Sequence, residues 1–385
     1  MVVVRVLAFV AGAGLATWAL SSAVRTMVVP RGLQTVIARA VYGALRGLLR
    51  PFMGADPSYT RRDRVMAMFG PASLLALPAV WLSLVLVGFT GMYWGLGTRS
   101  ARSSFELSGS SLFTLGTRAA DDLPSEILSF AEAGVGIGLL ALLISYLPSL
   151  YGTFNRREVA VALLEVRADS PPSGPNMIIR YHRIGWAGGL TQVWKDWEGW
   201  FADLEETHTS LPALVFFRSP QPGRSWVTAA GAVLDGAALR ASSVDGPQEP
   251  GASLCIRAGY VALRRLAEFF QIPFDPDPTP GDPISVTREE YNAVCDRMAA
   301  AGVAIKADRD QAWSDFMGWR VTYDAPLLGL AALTMAPTAP WSSDRAQPFT
   351  SPPLLVRTPR TRRRPGPGGA TSAPHGGRRP AGEPE

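Results

Sequence analysis

Three long stretches of the chain lose the mixture of apolar and charged residues altogether. Residues 6–24, 65–98 and 133–155 carry no Asp, Glu, Lys or Arg. A helix needs about 20 apolar residues to cross a hydrocarbon layer of about 30 Å. The pattern predicts three spans: over 6–24, within 65–98, and over 127–154. Arg5 and Arg25 flank the first run. Its apolar core exceeds the roughly 7–15 residues of a secretory signal, so a retained anchor is expected, with a cleaved signal peptide as the alternative. Between the second and third spans, residues 103–117 are small and semi-apolar. That run is too short to span but suits a re-entrant half-helix.

The rest of the chain reads as helix. Over 33–49, Arg39, Arg46 and Arg50 fall on one face and Leu33, Ile37, Val41, Leu45 and Leu48 on the other. Such a helix is expected to lie in the membrane interface; the alternative is a connector packed on the protein. Helix continues from the third span over 156–170, and the breaker cluster Ser170-Pro171-Pro172-Ser173-Gly174-Pro175 comes next. Over 188–207, Leu190, Val193, Trp194, Trp197, Trp200, Phe201 and Leu204 keep helical spacing and are expected to form a core or membrane-docked face. Further helices are predicted over 252–271, from the capping box Thr287-x-x-Glu290 to about 301, and over 308–336 with an interruption near Pro326. Pro148 is expected to kink or end the third span.

Charge orients these elements. The net charge of +5 is carried by Arg clusters in 31–64 and 354–385, while 152–353 is net acidic. Arg31, Arg39, Arg46, Arg50, Arg61, Arg62 and Arg64 come after the first span, and Arg156 and Arg157 after the third. By the positive-inside rule both clusters face the cytoplasm. The N-terminus and the 98–126 connection are then outside, and everything after 155 is cytoplasmic. The tail from about 336 is rich in Pro, then Arg and Gly. It is expected to be disordered, with its Arg residues near anionic lipid.

The expectation is a mostly α integral membrane protein of the cell membrane. It has three transmembrane helices, a re-entrant pore helix and a mainly helical cytoplasmic domain. Its parts are an N-terminal anchor (1–30), a basic linker helix (31–64), a two-helix membrane domain (65–155), the cytoplasmic domain (156–340) and the tail (341–385).

Candidate chemistry adds little. There is no phosphate-binding glycine loop. His182 and His208 lack ligand-spaced partners and are expected at the surface or in caps. Cys255 and Cys295 are expected to be free, buried thiols. Asp308, Asp310 and Asp315 read as an acidic helix start. No enzyme activity, metal, cofactor or nucleic-acid partner is expected. In the membrane part, Glu132 is ionisable near the outer end of a span. Such residues face protein or water, so it is expected to line a vestibule or pair with Arg118. Gly134-x-x-x-Gly138 has the spacing of a close helix contact.

The order of span, short helix, Thr114-Leu115-Gly116-Thr117, Asp121, Asp122, Pro124 and span resembles the two-helix pore domain of the potassium-channel superfamily, over about residues 69–155. The resemblance implies that carbonyls of Thr114, Leu115, Gly116 and Thr117 stand in for an ion's hydration shell. Arg118, Asp121, Asp122 and Glu132 would surround the mouth, and Gly138 would match the inner-helix hinge. It implies a homo-oligomer in membrane lipid, a tetramer if a pore, that passes a monovalent cation. Thr117 replaces the family's Tyr and Arg118 its second filter Gly. The function implied is therefore a channel of altered or lost selectivity with a cytoplasmic regulatory domain. The alternative is a non-conducting anchor or sensor whose helical domain binds a partner.

Overall fold

The computed structural model describes residues 2–29, 35–53, 59–97 and 100–346. The tail beyond 346, together with Arg31 and Leu33, lies outside the described residues. Among those residues the chain is helical, with no strand. Three helices are long and apolar enough to cross a membrane: α1 (Val2–Met27), α4 (Phe69–Leu96) and α6 (Leu123–Ala168).

Small residues bring α1 and α4 together. A Cβ on Gly12 would strike the carbonyl of Gly88, and a Cβ on Gly88 would lie 2.7 Å from the carbonyl of Gly12. Gly95 approaches the Arg5 carbonyl in the same way. Two bare helix faces therefore pack backbone to backbone, the arrangement that small-residue spacing permits inside a membrane. Arg5 Nη1 closes one end on the Gly97 carbonyl at 3.0 Å. Near the other end Trp81 Nε1 donates to Ser22 Oγ at 3.2 Å.

Pro148 does not end α6, which runs on without a break to Ala168. The lower part of α6 joins a helical body built from α7 (Gly174–Arg183), α8 (Leu190–Ser210), α9 (Trp226–Ser242), α10 (Pro250–Phe269), α11 (Arg288–Ala300), α12 (Arg309–Arg320) and α13 (Asp324–Thr334). The Trp stripe of α8 is its core face, buried at Trp194, Trp197, Trp200 and Phe201. The Thr287–Glu290 capping box opens α11. Asp308 caps α12 by accepting from Gln311 N at 2.9 Å. Cys255 and Cys295 are free and buried. The chain breaks after Arg320, ahead of Pro326, which lies in the first turn of α13 and needs no N–H partner there.

Several expectations are corrected. Helix α2 (Val36–Leu49) packs on the protein along part of its apolar face, while Val36 and Leu48 are exposed. Ile37 and Ala38 pack with Leu77 and Trp81, Tyr42 and Leu45 pack on the helical body, and Arg46 Nη1 reaches the Leu333 carbonyl at 3.4 Å. His208, in the last turn of α8, is not a surface residue. It is buried beside Arg157, with Nε2 and Nη1 3.0 Å apart. Burial first, and then the neighbouring guanidinium, push its pKa well below the usual imidazole range, so it is the neutral partner.

Residues 336–346 belong to the folded body rather than to a loose tail. Trp341 is buried against Phe316, and Arg345 donates to the Ser285 carbonyl at 2.6 Å and to Glu290 at 3.0 Å. A chain ending at residue 351 should therefore keep the full-length unfolding temperature in detergent. One ending at 336 should unfold several degrees lower, because it loses a buried Trp and its packing. Equal unfolding temperatures for the two would refute this boundary.

Candidate functional site

Helix α5 (Ala101–Leu112) sits between α4 and α6. Ser100 caps it by accepting from Ser103 N at 3.2 Å. Its serines at 104, 108 and 111 recur at helical spacing and are buried, whereas Phe105 on the opposite side is half exposed. A buried hydroxyl normally needs a partner; those of Ser108 and Ser111 have one, while Ser104 Oγ has none among the described residues. Ser108 Oγ lies 2.5 Å from Glu132 Oε1 on α6 and 3.0 Å from the Leu86 carbonyl on α4. Ser111 and Ser129 Oγ atoms are 2.8 Å apart. Tyr93 of α4 donates to Glu132 Oε2 at 3.0 Å. Three helices thus meet at a carboxyl group with 0% exposure.

Glu132 is therefore not part of a vestibule wall in this chain, and Arg118 is not its partner. Arg118 turns back onto α5 and pairs with Glu106 at 2.5 Å, and Glu106 also holds Arg102 at 3.0 Å. Asp122 caps α6, accepting from Ser125 N at 2.9 Å, while Asp121 beside it is exposed. The glycines of α6 divide differently from expectation. Gly136 makes the close contact, since a Cβ there would run into the Leu112 carbonyl. Gly134 and Gly138 face open space. Glu132, Gly136 and Leu139 are buried at i, i+4 and i+7, so that face points to α5.

The segment after α5 has an unusual backbone. The N–H groups of Thr114 and Leu115 return to the carbonyls of Ser111 and Ser110 at 3.0 and 2.8 Å. The N–H of Arg118 reaches Ser110 Oγ at 3.0 Å. Among the described residues, the carbonyls of 114–117 accept no hydrogen bond. Those four residues are exposed. Thr114 has φ +53° and Gly116 φ +67°. Glycine takes that geometry freely. A β-branched residue takes it only under strain of order 1–3 kcal/mol, which clusters at functional sites. The N–H groups of Thr114, Leu115 and Arg118 are thus bound, while the carbonyls of 114–117 take no donor among the described residues. Such a surface can coordinate a cation.

The foot of α6 is tied to the helical body by Arg157, which is buried. Its Nη1 donates to the Leu214 carbonyl at 2.8 Å and its Nη2 to the Phe217 carbonyl at 2.6 Å. Of the Arg156–Arg157 pair, only Arg156 is exposed. Sequence reading missed Tyr93, Ser108 and Glu106. The serine spacing on α5 was the signal available for one of them. Among the described residues no cluster of His, Cys, Asp or Glu could hold a metal. No family model, curated protein or solved structure matches the chain.

Proposed function

We propose that α4, α5 and α6 form one protomer of an ion pore in the cell membrane, similar in plan to the potassium-channel superfamily. In this reading α5 is a re-entrant helix, residues 114–117 face the ion path, and four copies surround it. The helical body is cytoplasmic, as the Arg clusters favour, and regulates the pore through α6. What supports the reading most is the segment 114–117, with four carbonyls free of donors and strain stored at Thr114. Carbonyls presented this way replace a cation's hydration shell. Arg118 and Thr117 depart from the family's filter, so the permeant monovalent cation need not be potassium. The pairing of Arg118 with Glu106 reduces the repulsion that a bare guanidinium at the mouth would exert. That repulsion is at most about 4 kcal/mol per charge at 4 Å and an effective dielectric near 20, and water screens it further.

Purified protein in planar bilayers, with mass measured in mild detergent, tests the proposal. Wild type should conduct cations as a tetramer. Arg118→Gly should raise cation conductance, and Glu106→Gln, which frees Arg118, should lower it. A silent monomer would instead favour a non-conducting anchor or sensor whose helical domain binds a partner.

A further inference from the structure

We infer that Glu132 holds the pore loop in place as an un-ionised carboxylic acid. That it positions a pore loop rests on the reading above; its protonation does not. Two observations carry this: the hydrogens available around the carboxyl and, among the described residues, the lack of a cation beside it. Three polar contacts meet around this carboxyl: Tyr93 Oη to Oε2 at 3.0 Å, Ser108 Oγ to Oε1 at 2.5 Å, and Ser108 Oγ to the Leu86 carbonyl at 3.0 Å. Each needs one hydrogen. Tyr93 and Ser108 carry one hydroxyl hydrogen each. The carbonyl of Leu86 has none to give. With a carboxylate, Ser108 can serve either Glu132 or Leu86, and the 3.0 Å approach to Leu86, whose carbonyl also accepts from Thr90 Oγ1 at 2.7 Å, would hold no hydrogen. With a protonated Glu132 the set closes. The acid donates from Oε1 to Ser108, Ser108 donates to Leu86, and Tyr93 donates to Oε2.

Among the described residues no cation compensates a negative charge there. Glu132 has 0% exposure. Of the charged groups on the elements packed around it, Arg5 of α1 is held on the Gly97 carbonyl. Glu106, Arg102 and Arg118 pair with one another on the exposed side of α5. Glu126 of α6 is exposed. An isolated buried carboxylate costs several kcal/mol or takes up a proton. The closed chain runs from α6 through α5 to α4. Ser108 lies one turn before Leu112, from which residues 113–117 depart, so the acid fixes the helix that delivers the loop.

Two readouts on the full chain in detergent test this without requiring conduction. Infrared difference spectra between wild type and Glu132→Gln should show the carbonyl band of an un-ionised acid at neutral pH, lost in the variant. Hydrogen exchange of the peptide covering 108–118 should be unchanged in Glu132→Gln, whose amide can donate to Ser108 and accept from Tyr93. It should be roughly tenfold faster in Glu132→Ala, the factor that about 1.4 kcal/mol of lost hydrogen bonding gives. If Glu132→Ala does not fold, Ser108→Ala takes its place. A carboxylate signature for Glu132 overturns the acid. Wild-type exchange in Glu132→Ala or its substitute overturns the positioning role. If both results hold while bilayers stay silent, the pore reading falls and the acid stands.

Discussion

Replacing Arg320 with methionine should lower the unfolding free energy by about 3–5 kcal/mol, the usual cost of stripping one partner from a buried ion pair. Arg320 has 0% exposure and closes the centre of the helical body. It pairs with Asp235 of α9, donates from Nε to Asp324 of α13 at 2.7 Å and from Nη2 to the Trp341 carbonyl at 2.6 Å. Burial alone would lower its pKa, but the carboxylates of Asp235 and Asp324 outweigh that and hold it above its usual range. Without the guanidinium, Asp235 keeps only Tyr323, which donates at 2.9 Å, and is buried with its charge uncompensated. Asp324 keeps Ser285 through two hydrogen bonds and suffers less. Adding Asp235→Asn to Arg320→Met should therefore recover part of the loss, because it removes the stranded charge. Denaturant unfolding of the two variants reads both steps. A single variant within about 1 kcal/mol of wild type would show that the network is not central to the fold.

The spans and most helices of the body were legible in the sequence for definite reasons. Absence of charge over 65–98 and 133–155 leaves few alternatives to burial in lipid or protein. The Trp stripe of α8 repeats at helical spacing, and the Thr287–Glu290 box is a local signal. Helix α9 was missed because it is buried nearly all round, at Val227, Ala230, Val233, Leu234, Ala237 and Ala238 among others. A helix apolar on every side has no amphipathic period to read. Asp235, inside it, therefore gave no hint of its partner 85 positions away. The same limit applies to the candidate site. A lone acid at Glu132 was visible, but its partners come from two other helices, 39 and 24 positions away. Arg157 was legible as a charge flanking a span and not as a buried clamp, because besides its neighbour Glu158 the acceptors that tie it to the body are the carbonyls of Leu214 and Phe217, and every sequence has carbonyls.

Gly136→Ala should abolish any current and destabilise the protein, whereas Gly138→Ala should do neither. Spacing alone favours Gly134 and Gly138 as the contact pair, but which glycine meets α5 depends on the rotation of α6. The buried series Glu132, Gly136, Leu139 fixes that rotation. A Cβ on Gly136 would lie 3.1 Å from the carbonyl carbon of Leu112 and closer still to its oxygen. The obstacle is backbone, so no rotamer change relieves it, and α5 must move away. Overpacking of this kind costs about 1–3 kcal/mol. The displacement falls on the residue from which 113–117 depart, so the loop carbonyls leave their places before the helix bundle unfolds. Gly138 faces open space within the chain. Alanine there meets no neighbour and gains up to about 1 kcal/mol of helix propensity. Thermal unfolding separates the two variants whether or not the protein conducts, and bilayer recording adds the functional difference. Wild-type stability in Gly136→Ala would mean that α5 does not rest on this face. Loss of current in Gly138→Ala at full stability would instead restore Gly138 as the hinge that the family resemblance implies, acting where four copies of α6 converge.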